Sequence, residues 1–336
     1  MRLSTSAIAL CVGLLVNHVA AAAELPQRWV SAGGALSEWV SALGGESKLV
    51  GVDTTSQHPE SIKALPSIGY QRQLSAEGVL SLRPQILIGT EEMGPPPVLS
   101  QIRTAGVQVE LFSAQADLPT LENTLRHLGR LLGNEAQATT LFQSYQQQLE
   151  ERKAWVSQAQ ARQKAPGVLL LLGHAGGKPL IAGKDTAADW LLQQAGGHNL
   201  ATHSGYKPFS VESLAGLAPD VLVFSDRALA DEQALQALLK ENPALAASRA
   251  VREKRLVSLD PTLLVGGLGP RLPQNLVKLS AGFYPAEPAK ATAANTYSIP
   301  WEFIRAISTT TVAPAPPDTM PGLPPNIAVI SPAIKA

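Results

Sequence analysis

The chain has 336 residues, with 27 basic and 27 acidic side chains, 45% hydrophobic residues, 5% aromatic residues and one cysteine. A balanced charge leaves no basic excess to neutralise phosphates, and so few aromatics make a poor stacking surface, so no nucleic-acid partner is expected. One cysteine removes disulfide frameworks, iron–sulfur clusters and cysteine-rich zinc sites.

Arg2, the apolar stretch from Ala7 to Val16 and the small residues Ala20-Ala21-Ala22-Ala23 predict a cleaved secretory signal over 1–23. Cys11 lies inside the apolar stretch after Leu10, where a lipid anchor would need a small residue, so a soluble exported protein is expected. Strands are predicted at 29–31, 49–51, 86–88, 108–111, 167–172, 221–224 and 255–258, with helical patterns between them. That alternation indicates α/β units with parallel strands. Leu121, Leu125, Leu128 and Leu132 recur at helical spacing, and a second helix is predicted over 135–163. At the standard rise it would be about 43 Å long, more a strut between two lobes than part of one.

An internal repeat agrees. Ala32-Gly33, Trp39 and Gly44-Gly45 return as Ala182-Gly183, Trp190 and Gly196-Gly197, and Gly69-Tyr70 returns as Gly205-Tyr206. The fold class expected is α/β, with two Rossmann-like lobes joined by a long helix and a ligand cleft between them. The divisions are a signal at 1–23, an N-terminal lobe at 24–117, connecting helices at 118–163, a C-terminal lobe at 164–284 and a tail at 285–336. That tail holds 10 of the 26 prolines and is rich in Ala and Thr, a composition that predicts disorder.

Enzyme motifs are scarce: there is no P-loop, HExxH or GxSxG, and no GxGxxG between a strand and a helix. Ser31-Ala32-Gly33-Gly34 is a strand-to-helix turn that suits either a phosphate or plain tight packing. The six histidines form no metal-binding pair, and a lone tyrosine in a loop would ordinarily be structural.

The block Gly69-Tyr70-Gln71-Arg72-Gln73-Leu74-Ser75-Ala76-Glu77-Gly78 changes that reading. It resembles the signature of the periplasmic haem-binding proteins of bacterial ABC importers, which belong to the helical-backbone class III of substrate-binding proteins. Val50-Gly51-Val52-Asp53-Thr54-Thr55, Ile181-Ala182-Gly183-Lys184-Asp185-Thr186 and Ala195-Gly196-Gly197-His198-Asn199 agree, and the resemblance runs over about 28–284. It implies that Tyr70 is the axial ligand of haem iron. Ferric iron stabilises a phenolate whose unperturbed pKa is about 10, and tyrosine is a known haem ligand. An extended segment would place Arg72 on the same face as Tyr70, to meet a propionate or the phenolate. The resemblance further implies that Arg227 stabilises the ligand from the second lobe and that His174 is a possible second haem contact. Tyr206 is expected at the lobe surface or cleft rim. Glu77 and Glu212, at equivalent places in the repeat, would dock onto the two permease subunits, although helix capping explains such acids equally well.

The function implied is a periplasmic, monomeric, non-enzymatic carrier that captures haem b as its transported ligand. Its partners would be an inner-membrane ABC permease and that permease's ATPase. A corrinoid or ferric-siderophore carrier on the same scaffold, or a secreted hydrolase or oxidoreductase, are the alternatives.

Overall fold

The computed structural model describes residues 24–173, 180–208, 216–225 and 248–286, with isolated positions between 236 and 246. The signal at 1–23, residues 287–336 of the tail, His174, Glu212 and Arg227 lie outside the described residues.

The first lobe is a sheet of four parallel strands, β1 (Trp29–Ala32), β2 (Leu49–Val52), β3 (Ile86–Thr90) and β4 (Gln108–Phe112), in the order β2-β1-β3-β4. Helices α1 (Gly34–Ala42), α2 (Ala76–Ser81) and α3 (Pro96–Thr104) connect them. Every residue of β3 is buried, as expected of a parallel strand covered on both faces. Val30 and Leu87 of the strands pack with Val79, Leu99 and Ile102 of the helices to form one side of the core.

Two helices come next, α4 (Leu118–Leu132) and α5 (Glu135–Gln160). The Asp117 carboxylate accepts the Thr120 amide at 2.7 Å to cap α4. The leucines at 121, 125, 128 and 132 are all buried, on the face that α4 turns to the core. At 26 residues, α5 is about 39 Å long, slightly shorter than the sequence pattern suggests. It stops six residues before Pro166, a residue that biases the chain ahead of it away from helix. α5 packs against α4 at one end and against helices of the second lobe at the other, so it does join the two lobes.

The second lobe contains β5 (Gly167–Leu172), β6 (Leu180–Ala182), β7 (His198–Asn199), β8 (Tyr206–Pro208), β9 (Val221–Ser225) and β10 (Leu256–Ser258). Its helices include α6 (Ala187–Gln194), α7 (Arg249–Arg252) and α8 (Leu272–Phe283). The sheet runs β10-β9-β5-β6-β8, with β7 also paired to β5. All seven strands expected from the sequence are present, but the expectation of parallel strands throughout needs correcting here. β6 pairs antiparallel with both β5 and β8, and β6, β7 and β8 carry no sequence signal. Strands of two or three residues are too short to show an alternating pattern.

The repeat is structural. After α1 the Gly45 amide donates to the Val40 carbonyl at 2.8 Å, and after α6 the Gly197 amide donates to the Leu192 carbonyl at 2.9 Å. Gly44 and Gly196 take left-handed conformations, φ 78° and 86°, which a side chain would strain. Both helices thus end in the same glycine-dependent cap.

Besides α5, a chain segment at 259–271 joins the lobes. Leaving the C-terminal end of β10, it lies against α1. The Trp39 indole donates to the Leu268 carbonyl at 2.8 Å. The Arg271 guanidinium donates to both carboxylate oxygens of Glu38, at 2.8 and 2.9 Å, and to Asp260 Oδ2 at 2.8 Å. Asp260 Oδ2 also lies 3.0 Å from His58 Nε2.

Candidate functional site

Open α/β sheets present ligands at the C-terminal ends of their strands. In the first lobe those ends lead to Gly33, to Asp53–Ser56 and to Glu91–Gly94. The amides of Gly33 and Gly34 are already taken: Gly33 donates to Asp53 Oδ1 at 3.1 Å and Gly34 to Thr55 Oγ1 at 2.9 Å. The hydroxyls of Thr55 and Ser56 also donate to the buried Asp53 carboxylate. A carboxylate of the chain itself therefore occupies the start of α1, and the glycine turn is packing rather than a phosphate site.

The Tyr70 loop lies beside this turn. Gly69, at φ 84°, lets the chain turn sharply, and its carbonyl accepts the Thr54 amide at 2.9 Å. The Gly94 amide donates to the Gln71 carbonyl at 3.0 Å, and the Leu74 amide donates to the Gly94 carbonyl at 2.9 Å. Gln71 is fully buried beneath, with its amide pointing towards Gly33, where a Cβ would come within 3.3 Å of Gln71 Oε1. The loop is tied on both sides, yet Tyr70 itself is 40% exposed.

Arg72 is reached differently from the sequence expectation. Gln71–Gln73 form a single 3-10 turn, so the extended geometry that would have aligned Arg72 with Tyr70 is absent. Arg72 instead forms an ion pair with Glu92, Nη2 to Oε1, at 2.7 Å. Hydrogen bonding to Glu92 raises the guanidinium pKa, outweighing partial burial, and the Tyr70 phenol lies within electrostatic reach. Sequence reasoning misses Glu92, whose one local signal is its position just past the C-terminal end of β3.

In the second lobe, Tyr206 occupies the place equivalent to Tyr70. Its hydroxyl is enclosed near Thr186 and the Ala188 amide at the start of α6, without a well-aligned hydrogen bond. Burial pushes its pKa up; Thr186 and the Ala188 amide offset this in part, and the charge of Glu92 adds to the rise. Glu92 is thus electrostatically coupled to the second lobe as well as bonded to Arg72. Glu77 is exposed in the first turn of α2, where the Ser75 hydroxyl accepts the Gly78 amide at 3.0 Å. A hollow of about 330 Å³ in the second lobe is lined by Lys184, Asp185, Asp189, His198 and their neighbours, and by none of the residues expected to touch haem or the permease. Among the described residues there is no cluster of three or more metal-ligating side chains and no helix long and apolar enough to cross a membrane.

The sequence profile of the periplasmic binding protein family matches residues 30–263. A periplasmic heme binding protein from Pseudomonas aeruginosa is 63% identical and superimposes with a TM-score of 0.76, the match covering 78% of this chain and 94% of that one. The periplasmic heme binding protein HutB of Vibrio cholerae is 37% identical with a TM-score of 0.67, covering 77% and 99% of the two chains. A cobalamin-binding protein of Halobacterium salinarum is 25% identical over 269 residues, covering 77% and 70%.

Proposed function

The chain belongs to the periplasmic binding protein family, and from that premise we propose that it captures haem in the periplasm and delivers it to an inner-membrane ABC permease driven by its ATPase. The observation that carries this reading is Tyr70: an exposed phenol on a doubly anchored loop at the C-terminal edge of a parallel sheet, with a guanidinium two residues away. A phenolate is a hard anionic ligand suited to ferric iron, and the exposed Tyr70 side chain is accessible to a ligand. Arg72 supplies a positive charge for the phenolate or for a propionate. Arg227 and His174 remain roles implied by resemblance, for stabilising the ligand and for a second contact. Glu77 and Glu212 would engage the permease. Capture and delivery need no catalytic step, and the role proposed is that of a monomeric, non-enzymatic carrier.

The cobalamin-binding relatives favour a corrinoid as the second reading. One titration separates the two. Haemin added to the purified ligand-free protein is expected to give a Soret band with high-spin ferric features at one fixed stoichiometry, and cyanocobalamin to give no retained complex through a desalting column. Retention of cyanocobalamin with no haemin spectrum would overturn the haem reading.

A further inference from the structure

We propose that Arg271 is a positioning residue for ligand retention: it closes a charged seam, Glu38–Arg271–Asp260–His58, that fastens the second lobe to the first beyond the C-terminal ends of β1 and β10. This deepens the haem-carrier reading and rests on it.

The seam is built, not incidental. Glu38, from α1 of the first lobe, is 6% exposed, and both its oxygens are held by one guanidinium from 233 residues further along the chain. A two-pronged Arg–carboxylate pair fixes orientation as well as distance. The same guanidinium reaches Asp260 Oδ2 at 2.8 Å and Thr262 Oγ1 at 2.7 Å, and Asp260 passes the contact back to the first lobe through His58. Arg271 therefore ties one side of the seam directly and the other through Asp260. Burial alone would push its pKa down, but the bonds to Glu38 and Asp260 outweigh it and raise the pKa, so the guanidinium stays charged.

Its position relates the seam to the ligand. Both strands that feed it, β1 through α1 and β10 through Asp260, arrive by their C-terminal ends, the edges where this fold presents ligands. The backbone of 266–269 comes so close to α1 that a Cβ on Gly266 or on Gly269 would lie 3.5 Å from the Ala35 Cβ. Ala35 is two residues from Gly33, which abuts Gln71, the neighbour of Tyr70. A slip at the seam thus changes the distance between the Tyr70 wall and whatever the second lobe brings opposite it. α5 already packs against both lobes, and the seam gives them a second attachment through a different segment of the chain.

The test uses haemin as the probe and transfer to excess apomyoglobin as the measure of its dissociation. Arg271→Met is expected to speed haemin loss about tenfold while leaving the visible spectrum of the bound haemin unchanged, because the iron ligand is untouched. Adding Ala35→Cys/Gly269→Cys to that variant places two Cβ atoms about 3.5 Å apart, inside the disulfide range. The oxidised form should regain the slow wild-type rate, and the form reduced and alkylated before loading should not. An unchanged dissociation rate in Arg271→Met, or no rescue by the crosslink, would overturn the proposal. If Arg271→Met fails to fold, the crosslink in the otherwise unaltered chain replaces it: oxidation should slow haemin loss below the uncrosslinked rate, and no slowing overturns the proposal. Amide exchange in ligand-free Arg271→Met separates a failure of the seam from a failure of the haem reading. Exchange at 33–45 and 259–271 should accelerate while β3 stays protected, whatever the ligand is.

Discussion

The two lobes carry the same turn and continue it differently. In each, a single parallel bridge, Val52 to Ser67 or Lys184 to Ser204, leads to a left-handed glycine and then a tyrosine. In the first lobe the chain continues into a 3-10 turn, and Tyr70 stands exposed. In the second it continues into β8, where Tyr206 is opposite Ala182 in the sheet and its hydroxyl is enclosed. Burial of the Tyr206 hydroxyl disfavours its ionisation. The repeat supplies two tyrosines, and the backbone immediately after each decides whether its side chain stands exposed or has its hydroxyl enclosed.

The most direct way to break this comparison is to remove each tyrosine in turn. Tyr70→Ala is expected to lower haemin affinity at least a hundredfold, with the thermal midpoint within a few degrees of wild type. Tyr206→Phe should leave affinity within about threefold, because it removes only a buried hydroxyl. Spectral titration of both variants decides the matter, and equal losses would mean that the lobes are functionally equivalent after all.

The acidic pair sharpens the comparison where the lobes should act alike. Glu77→Ala/Glu212→Ala is expected to bind haemin as wild type does and to stimulate neither ATP hydrolysis nor uptake by its permease in reconstituted vesicles. Wild-type transport by the double variant would leave Glu77 as no more than a first-turn acid on α2.

The smallest expected effect belongs to the seam that both lobes share. Burial would raise the Asp260 carboxyl, but the hydrogen bonds from Thr262 and Arg271 outweigh it and hold the pKa below the usual range. An acid whose pKa is lowered by folding binds fewer protons in the native state than in the unfolded one. Its contribution is therefore complete above the unfolded value of about 3.9 and is lost as pH falls through the native value. Asp260→Asn should cost about 1–3 kcal/mol at pH 7, in line with charged hydrogen bonds, and noticeably less near pH 3. Urea midpoints at the two pH values provide the check, and an equal cost at both would show that the Asp260 charge is not what matters.

The sequence by itself determined the regular framework. Long apolar runs such as Gly167–Leu172, the leucine spacing on α4 and the glycine-terminated helices are local signals, written within one element and its caps. The Tyr70 block was legible as well, through its resemblance to a known signature, and its presentation depends on Gly69 and the loops on either side. Tertiary structure alone decided what depends on distant partners. Arg72 belongs with Glu92, twenty residues on, and not with the face an extended segment would have given it. β6 and β8 are defined by the neighbours they pair with, since three residues carry no periodicity of their own. Arg271 meets Glu38 across 233 residues. Neither residue is unusual in its local sequence, because an ion pair leaves its mark only in the space that the folded chain encloses.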